Sequence, residues 1–139
     1  MIHYTKMQAT DYDEVVTLWK SCDGVTIDSS DSREAIEEYL LRNPGLSFVA
    51  RDESMLVGAV LGGHDGRRGF LHHLAVAPEF RGRGTGRHLA ERVLAALKQL
   101  GILKCHLFVH ADNQAALAFW KTVGWTRRDD IEMFSKPTG

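Results

Sequence analysis

Cysteine is scarce in this chain: Cys22 and Cys105 are its two thiols. Two cysteines cannot build a disulfide framework, and no paired cysteine motif points to zinc, so a reducing compartment fits best. Proline is scarce too, and Pro44, Pro78 and Pro137 fall where elements are expected to end. There is no Pro/Ser-rich linker, low-complexity tract or internal repeat. The longest apolar stretches, such as 56–61, are far too short to span a bilayer. The opening Met1-Ile2-His3-Tyr4-Thr5-Lys6 lacks the apolar run of a secretory signal. An excess of one charge is also missing: 17 basic residues stand against 18 acidic ones, for a net charge of −1. No global field draws such a chain to nucleic acid or acidic lipid. These absences describe a soluble cytoplasmic protein with neither a membrane nor a nucleic-acid partner.

What is present is ordinary for a globular domain: 139 residues, 44% hydrophobic and 25% charged. That length predicts one domain, 1–139, with a core of its own. A first helix is expected near Asp11, with Glu14 completing a capping box, followed by Val15, Leu18, Trp19 and Cys22 at helical spacing. A second helix is expected from Asp31 or Ser32, burying Ile36 and Leu40 and ending at Asn43-Pro44-Gly45. The runs 46–51 and 55–61 read as a hairpin around Asp52-Glu53-Ser54, with a loop over 62–66 and a third strand over 70–76. The period then changes. Leu89, Val93, Leu97 and Leu100 predict a helix over 84–100, stopped by Gly101. A strand over 103–109, a helix over 113–123 closed by Gly124, and one or two strands within 125–135 complete the chain. Strand 70–76, helix 84–100 and strand 103–109 form a βαβ unit whose strands run parallel. The fold class is α+β: a central mixed sheet with about four helices.

The most informative segment is Arg81-Gly82-Arg83-Gly84-Thr85-Gly86-Arg87, between a strand and a helix. Glycines at alternate positions leave the backbone free of Cβ atoms, and a helix N-terminus adds unpaired N–H groups and partial positive charge. Such a turn suits a diphosphate, and the arginines add guanidinium charge. The plainer alternative is a glycine-rich turn in a basic loop. It is not a Walker loop, which ends in Gly-Lys-Ser/Thr. Nor is it a Rossmann fingerprint: counted from Gly82 and Gly84, the third glycine position holds Arg87.

Arg81-x-x-Gly84-x-Gly86, following Leu74-Ala75-Val76 and Pro78, resembles the acetyl-CoA pyrophosphate motif of the GNAT superfamily of N-acyltransferases. Asn113-x-x-Ala116, then Phe119-Trp120 and Gly124-Trp125, is similar to that family's later motif. The resemblance covers nearly the whole chain. It implies a GNAT-like sheet in which the strands 70–76 and 103–109 splay apart. Acetyl-CoA would be a co-substrate and no metal would be needed. Leu74, Ala75 and Val76 would meet the pantetheine and thioester, and Arg81, Gly82, Arg83, Gly84, Thr85 and Gly86 would hold the pyrophosphate. Asn113 would cap its helix, contact the cofactor, or both. The acetyl group would pass directly to an amine.

An ammonium must lose a proton before it attacks. His72 and His73 precede Leu74-Ala75-Val76, and strand alternation places them on opposite faces, with His72 sharing parity with Phe70, Leu74 and Val76. In one member of the family catalytic histidines lie on this strand, one matching His72 in register. His72 is therefore the candidate base or relay, against the alternative of a hydrogen-bonded structural histidine; His73 reads as structural or surface. Many members carry Tyr where this chain has Trp120, and indole does not release its proton near neutrality. The general acid is thus unassigned. Trp120 remains a candidate to hydrogen-bond the sulfur, pack the pantetheine arm, or serve as a core aromatic. Cys105 reads as a small buried residue, and His106 with His110 lacks a third metal ligand.

The acceptor is expected to be an amine on a small molecule or protein. Asp23, Asp28 and Asp31, between the first two helices, either recognise a cationic acceptor or simply form a solvated, capping turn. The family also implies that a homodimer is common. Two other readings stay open: an acyl-CoA-binding regulatory module without transfer activity, and a binder of another phosphate-rich ligand.

Overall fold

The computed structural model describes all 139 residues, in two compact units, 1–108 and 109–139. The first unit runs β1 (Ile2–Lys6), α1 (Tyr12–Lys20), α2 (Arg33–Arg42), β2 (Phe48–Asp52), β3 (Met55–His64), β4 (Gly69–Val76), α3 (Thr85–Gln99) and β5 (Cys105–Leu107). Its five strands form one sheet in the order β1-β2-β3-β4-β5. The first three pairings are antiparallel and β4–β5 is parallel, as the βαβ reading requires. No helix is long and apolar enough to cross a membrane.

Alternation along β3 sorts the core into two layers. Ala59 and Leu61 join Val15, Leu18, Trp19 and Ile36 of α1 and α2. Gly58 and Gly62, on the other face, lie under Leu89 and Val93 of α3. At Gly62 a Cβ would overlap the carbonyl of Leu46, so only glycine admits this close approach. That approach explains why 62–64 is strand and not the expected loop: Gly62 and Gly63 pair with Leu71 and Phe70.

Helix ends follow local chemistry. Ser32 caps α2, its hydroxyl accepting from the Ala35 N–H at 3.1 Å. Gly101 stops α3 with φ +81 and an N–H bonded to the carbonyl of Lys98. The capping box expected at Asp11 and Glu14 does not form. Both carboxylates turn to Arg51 on β2, Asp11 at 2.7 Å and Glu14 at 2.9 Å. The second oxygen of Asp11 accepts from the backbone of Gln8 instead. A guanidinium from a distant strand outcompetes the local cap because it offers several charge-assisted bonds.

The second unit holds one helix, α4 (Gln114–Thr122). Leu117, Trp120 and Val123 are half-buried along it, and Gly124 closes it with φ +98. The strands expected within 125–135 are not formed. Ile131, Met133 and Phe134 supply apolar side chains, but a strand exists only by pairing and no other strand pairs here. The charged residues instead close on near neighbours, Arg127 on Asp129 and Arg128 on Asp130.

Candidate active site

The candidate site begins where β4 outruns its parallel neighbour. Pairing with β5 covers only Gly69, Phe70 and Leu71, so the edge of β4 from His72 to Val76 has no strand beside it. This is the divergence the resemblance led us to expect, although β5 is shorter than 103–109. Aromatic rings mark the point of separation: Phe70 stacks with His72 and with Phe108, each at 6.3 Å between centroids.

A bulge sits in the same stretch. Ala59 faces Ala75 and Leu61 faces His72, so Val60 alone answers both His73 and Leu74. His73 takes up the extra residue with φ +52. That left-handed conformation costs a non-glycine residue roughly 1–3 kcal/mol, though histidine is among those that tolerate it. Two contacts offset the strain: Nε2 lies 3.0 Å from Oδ1 of Asp31, and the ring stands edge-on to Trp19 at 4.8 Å.

The bulge overturns the expected parity. One inserted residue shifts every later side chain to the other face. His72 therefore shares its face with Ala75, under α1 and α2, while Val76 pairs with Gly58 on the α3 side. His72 and His73 do not point to opposite faces either: both line one cavity of about 250 Å³. That cavity lies between β4, α2 and the loop before α2, and Asp28, Asp31, Tyr39 and Leu61 also line it. Asp23 is exposed and stands outside it.

Electrostatics separate the polar groups of the cavity. Burial, reinforced by the neighbouring His73, holds the His72 imidazole below the ordinary histidine value, so it is neutral and able to accept a proton near pH 7. Burial pushes the Tyr39 phenol up to about 12. The Asp28 carboxyl is lowered by hydrogen bonds from the side chain and backbone of Ser30. Sequence reading missed Tyr39. Its spacing from Ile36 marks the inner stripe of α2, but nothing in that spacing separates a cavity wall from core.

At the far end of β4 the chain turns through 77–84 into α3. Gly82 and Gly84 have φ +77 and +83, and Gly84 is the N-cap. A glycine cap carries no side chain to occupy the first N–H groups of the helix, which therefore remain open toward an anion. Arg83 and Arg87 are exposed, Arg83 over the Phe80 ring and Arg87 beside Glu91. The Thr85 side chain is buried against Gly58, so only its backbone faces the turn. These features fit a diphosphate.

Other candidates are placed as follows. Asn113 caps α4, Oδ1 accepting from the Ala116 N–H at 3.0 Å. Trp120 packs edge-on between Phe119 and Trp125 within the second unit. Burial pushes the Cys105 thiol up to about 11, which leaves it a poor nucleophile. No three His, Cys, Asp or Glu side chains gather as metal ligands.

A mixed sheet whose parallel pair separates beside a glycine-opened helix N-terminus is a GNAT-type fold, and comparison with known proteins agrees. The model of the acetyltransferase (GNAT) family matches residues 12–125. An acetyltransferase of Sodalis glossinidius (strain morsitans) is 34% identical over 126 residues, covering 91% of this chain and 88% of that protein. One of Pectobacterium atrosepticum is 37% identical over 123 residues, covering 88% and 86%. Among solved structures, the N-acetyltransferase PaiA of Thermoplasma acidophilum, in complex with coenzyme A, superposes with a TM-score of 0.81 at 22% identity over 93% of this chain and 92% of that one. The chain belongs to the GNAT family of acetyltransferases. Its activity is that class: acetyl-CoA-dependent N-acetyl transfer to an amine.

Proposed function

We propose that His72 is the base of this transfer and that the chain works as a single domain, 1–139. The observation that carries the role of His72 is its place: a neutral imidazole in a cavity on the strand whose edge is left open beside it. The family match supports the single domain, because it runs continuously from 12 to 125 across the division at 108.

In this reading Leu74, Ala75 and Val76 offer backbone groups to the pantetheine and thioester. Arg81, Gly82, Arg83, Gly84, Thr85 and Gly86 hold the pyrophosphate, Thr85 through its backbone. Asn113 and Trp120 join the cofactor-binding set on the strength of the motif in their own unit. The acceptor enters as an ammonium and loses a proton to His72, directly or through water. Its nitrogen bonds to the thioester carbon and gives up its second proton to solvent, the carbon–sulfur bond breaks, and CoA leaves as a thiolate that takes up a proton from solvent. Trp120 serves this step by packing or hydrogen-bonding, since indole is not an acid near neutrality.

The acceptor is a small-molecule or protein amine that reaches the cavity beside Asp28. The protein acts in the cytoplasm, as a monomer or homodimer, without nucleic acid or membrane as a partner. Calorimetric titration with acetyl-CoA, then CoA-thiol release across a panel of amines, tests the reading. Micromolar binding with amine-dependent release is expected, lost on His72→Ala. An unchanged rate and pH profile in His72→Ala removes His72 from the role.

A further inference from the structure

We propose that Asp31 and His73 form a positioning pair for acyl transfer: their hydrogen bond clamps the bulge of β4 to the turn before α2 and so aims His72 into the cavity. The proposal rests on the reading of His72 as the base.

Asp31 is built as a clamp. Its side chain is 6% exposed, and both oxygens are committed to donors of this chain. Oδ1 faces Nε2 of His73 at 3.0 Å, and Oδ2 accepts from the backbone of Asp28 at 3.2 Å. Its own carbonyl takes the Tyr12 hydroxyl at 2.6 Å. One residue thus ties α1, the turn before α2, and β4. A carboxylate so engaged is not left over to bind an acceptor cation, which is why Asp31 reads as a positioning residue.

The other end of the clamp is the one residue of β4 with positive φ. The bulge decides which face His73 occupies, because a strand without it would set His73 opposite Val60 on the α3 side, whereas here it lines the cavity beside His72. Holding His73 therefore holds the direction of its neighbour. The titratable and charged groups facing His73 are Asp31 and Asp28 from the turn and His72 on its own strand; α1 contributes Trp19, which does not titrate.

Steady-state kinetics of four variants, with thermal unfolding alongside, test the pair. His73→Gly accepts positive φ without strain but cuts the tether, and Asp31→Ala removes the acceptor. Each is expected to lower kcat about 10- to 100-fold while changing the KM for acetyl-CoA less than about threefold. His73→Asn tolerates positive φ and keeps an N–H for Asp31; it is expected to retain kcat within about threefold. Its acid limb is expected to move to higher pH, because the imidazole that disfavours protonation of His72 is gone. If Asp31→Ala does not fold, Asp31→Asn replaces it and is expected to lower kcat less than His73→Gly does. A parental kcat in His73→Gly, or a loss in His73→Asn as deep as in His73→Gly, overturns the clamp. His72→Asn is the separate control: a parental kcat there overturns the base itself, whatever the clamp variants show.

Discussion

Arg81 donates from Nε to the carbonyl of Val76 at 3.0 Å, and its Nη2 lies 3.5 Å from the sulfur of Cys22. The first residue of the phosphate turn is thereby fastened to the last residue of β4, and both to the end of α1. The residue expected to meet the pyrophosphate is also the one that sets the spacing between the open strand edge and the turn.

Arg81→Ala should therefore affect the cofactor more than the fold. Loss of one charge-assisted contact predicts roughly a tenfold weaker acetyl-CoA affinity by calorimetry. Arg81 is exposed, so the melting temperature is expected to move little. Undiminished affinity would place the pyrophosphate elsewhere.

Gly84→Val forces a β-branched residue to adopt φ +83 at the cap of α3. The backbone strain is about 1–2 kcal/mol, and the new side chain covers the helix N–H groups. Acetyl-CoA binding is expected to disappear from the titration while circular dichroism still reports a folded chain. Retained binding would mean that this helix end is only a turn.

Gly62→Ala tests the packing of β3, away from the proposed chemistry. Its Cβ would overlap the Leu46 carbonyl and press on Val93. Overpacking of this kind costs roughly 1–3 kcal/mol, read as a lower urea midpoint with an unchanged slope.

The depressed basicity of His72 gives two pH dependences of the same sign. Its folded value lies below the ordinary 6.5, so the unfolded chain takes up the proton first as pH falls. The contribution of His72 to stability is fully present above about 6.5 and is lost as pH drops through the folded value. kcat/KM should fall over the same window as the base becomes protonated. In His72→Ala both slopes attributable to this residue should vanish, checked by unfolding and kinetics in matched buffers.

Trp120→Phe removes the indole N–H but keeps the ring within the Phe119–Trp125 cluster. If Trp120 acts by packing, kcat is expected to stay within about threefold. A larger loss at unchanged acetyl-CoA affinity would assign the indole N–H to the departing sulfur.

The periodicities by themselves determined the order of elements, the βαβ unit and the glycine-opened turn, because each rests on local rules. Spacing of Leu89, Val93 and Leu97 specifies a helix, and Gly84 and Gly101 mark its ends wherever it packs. Three features were decided only by tertiary structure. Asp11 and Glu14 left their cap because Arg51, distant in the chain, came within reach. Residues 125–135 read as one or two strands yet form none, since pairing is a property of two segments. The face of His73, which brings it into one cavity with His72, was set by a bulge that strict alternation cannot foresee, held by Asp31 some 42 positions away in sequence. The sequence could name a histidine on that strand. Its direction depends on a contact between residues far apart in the chain, which only the folded structure supplies.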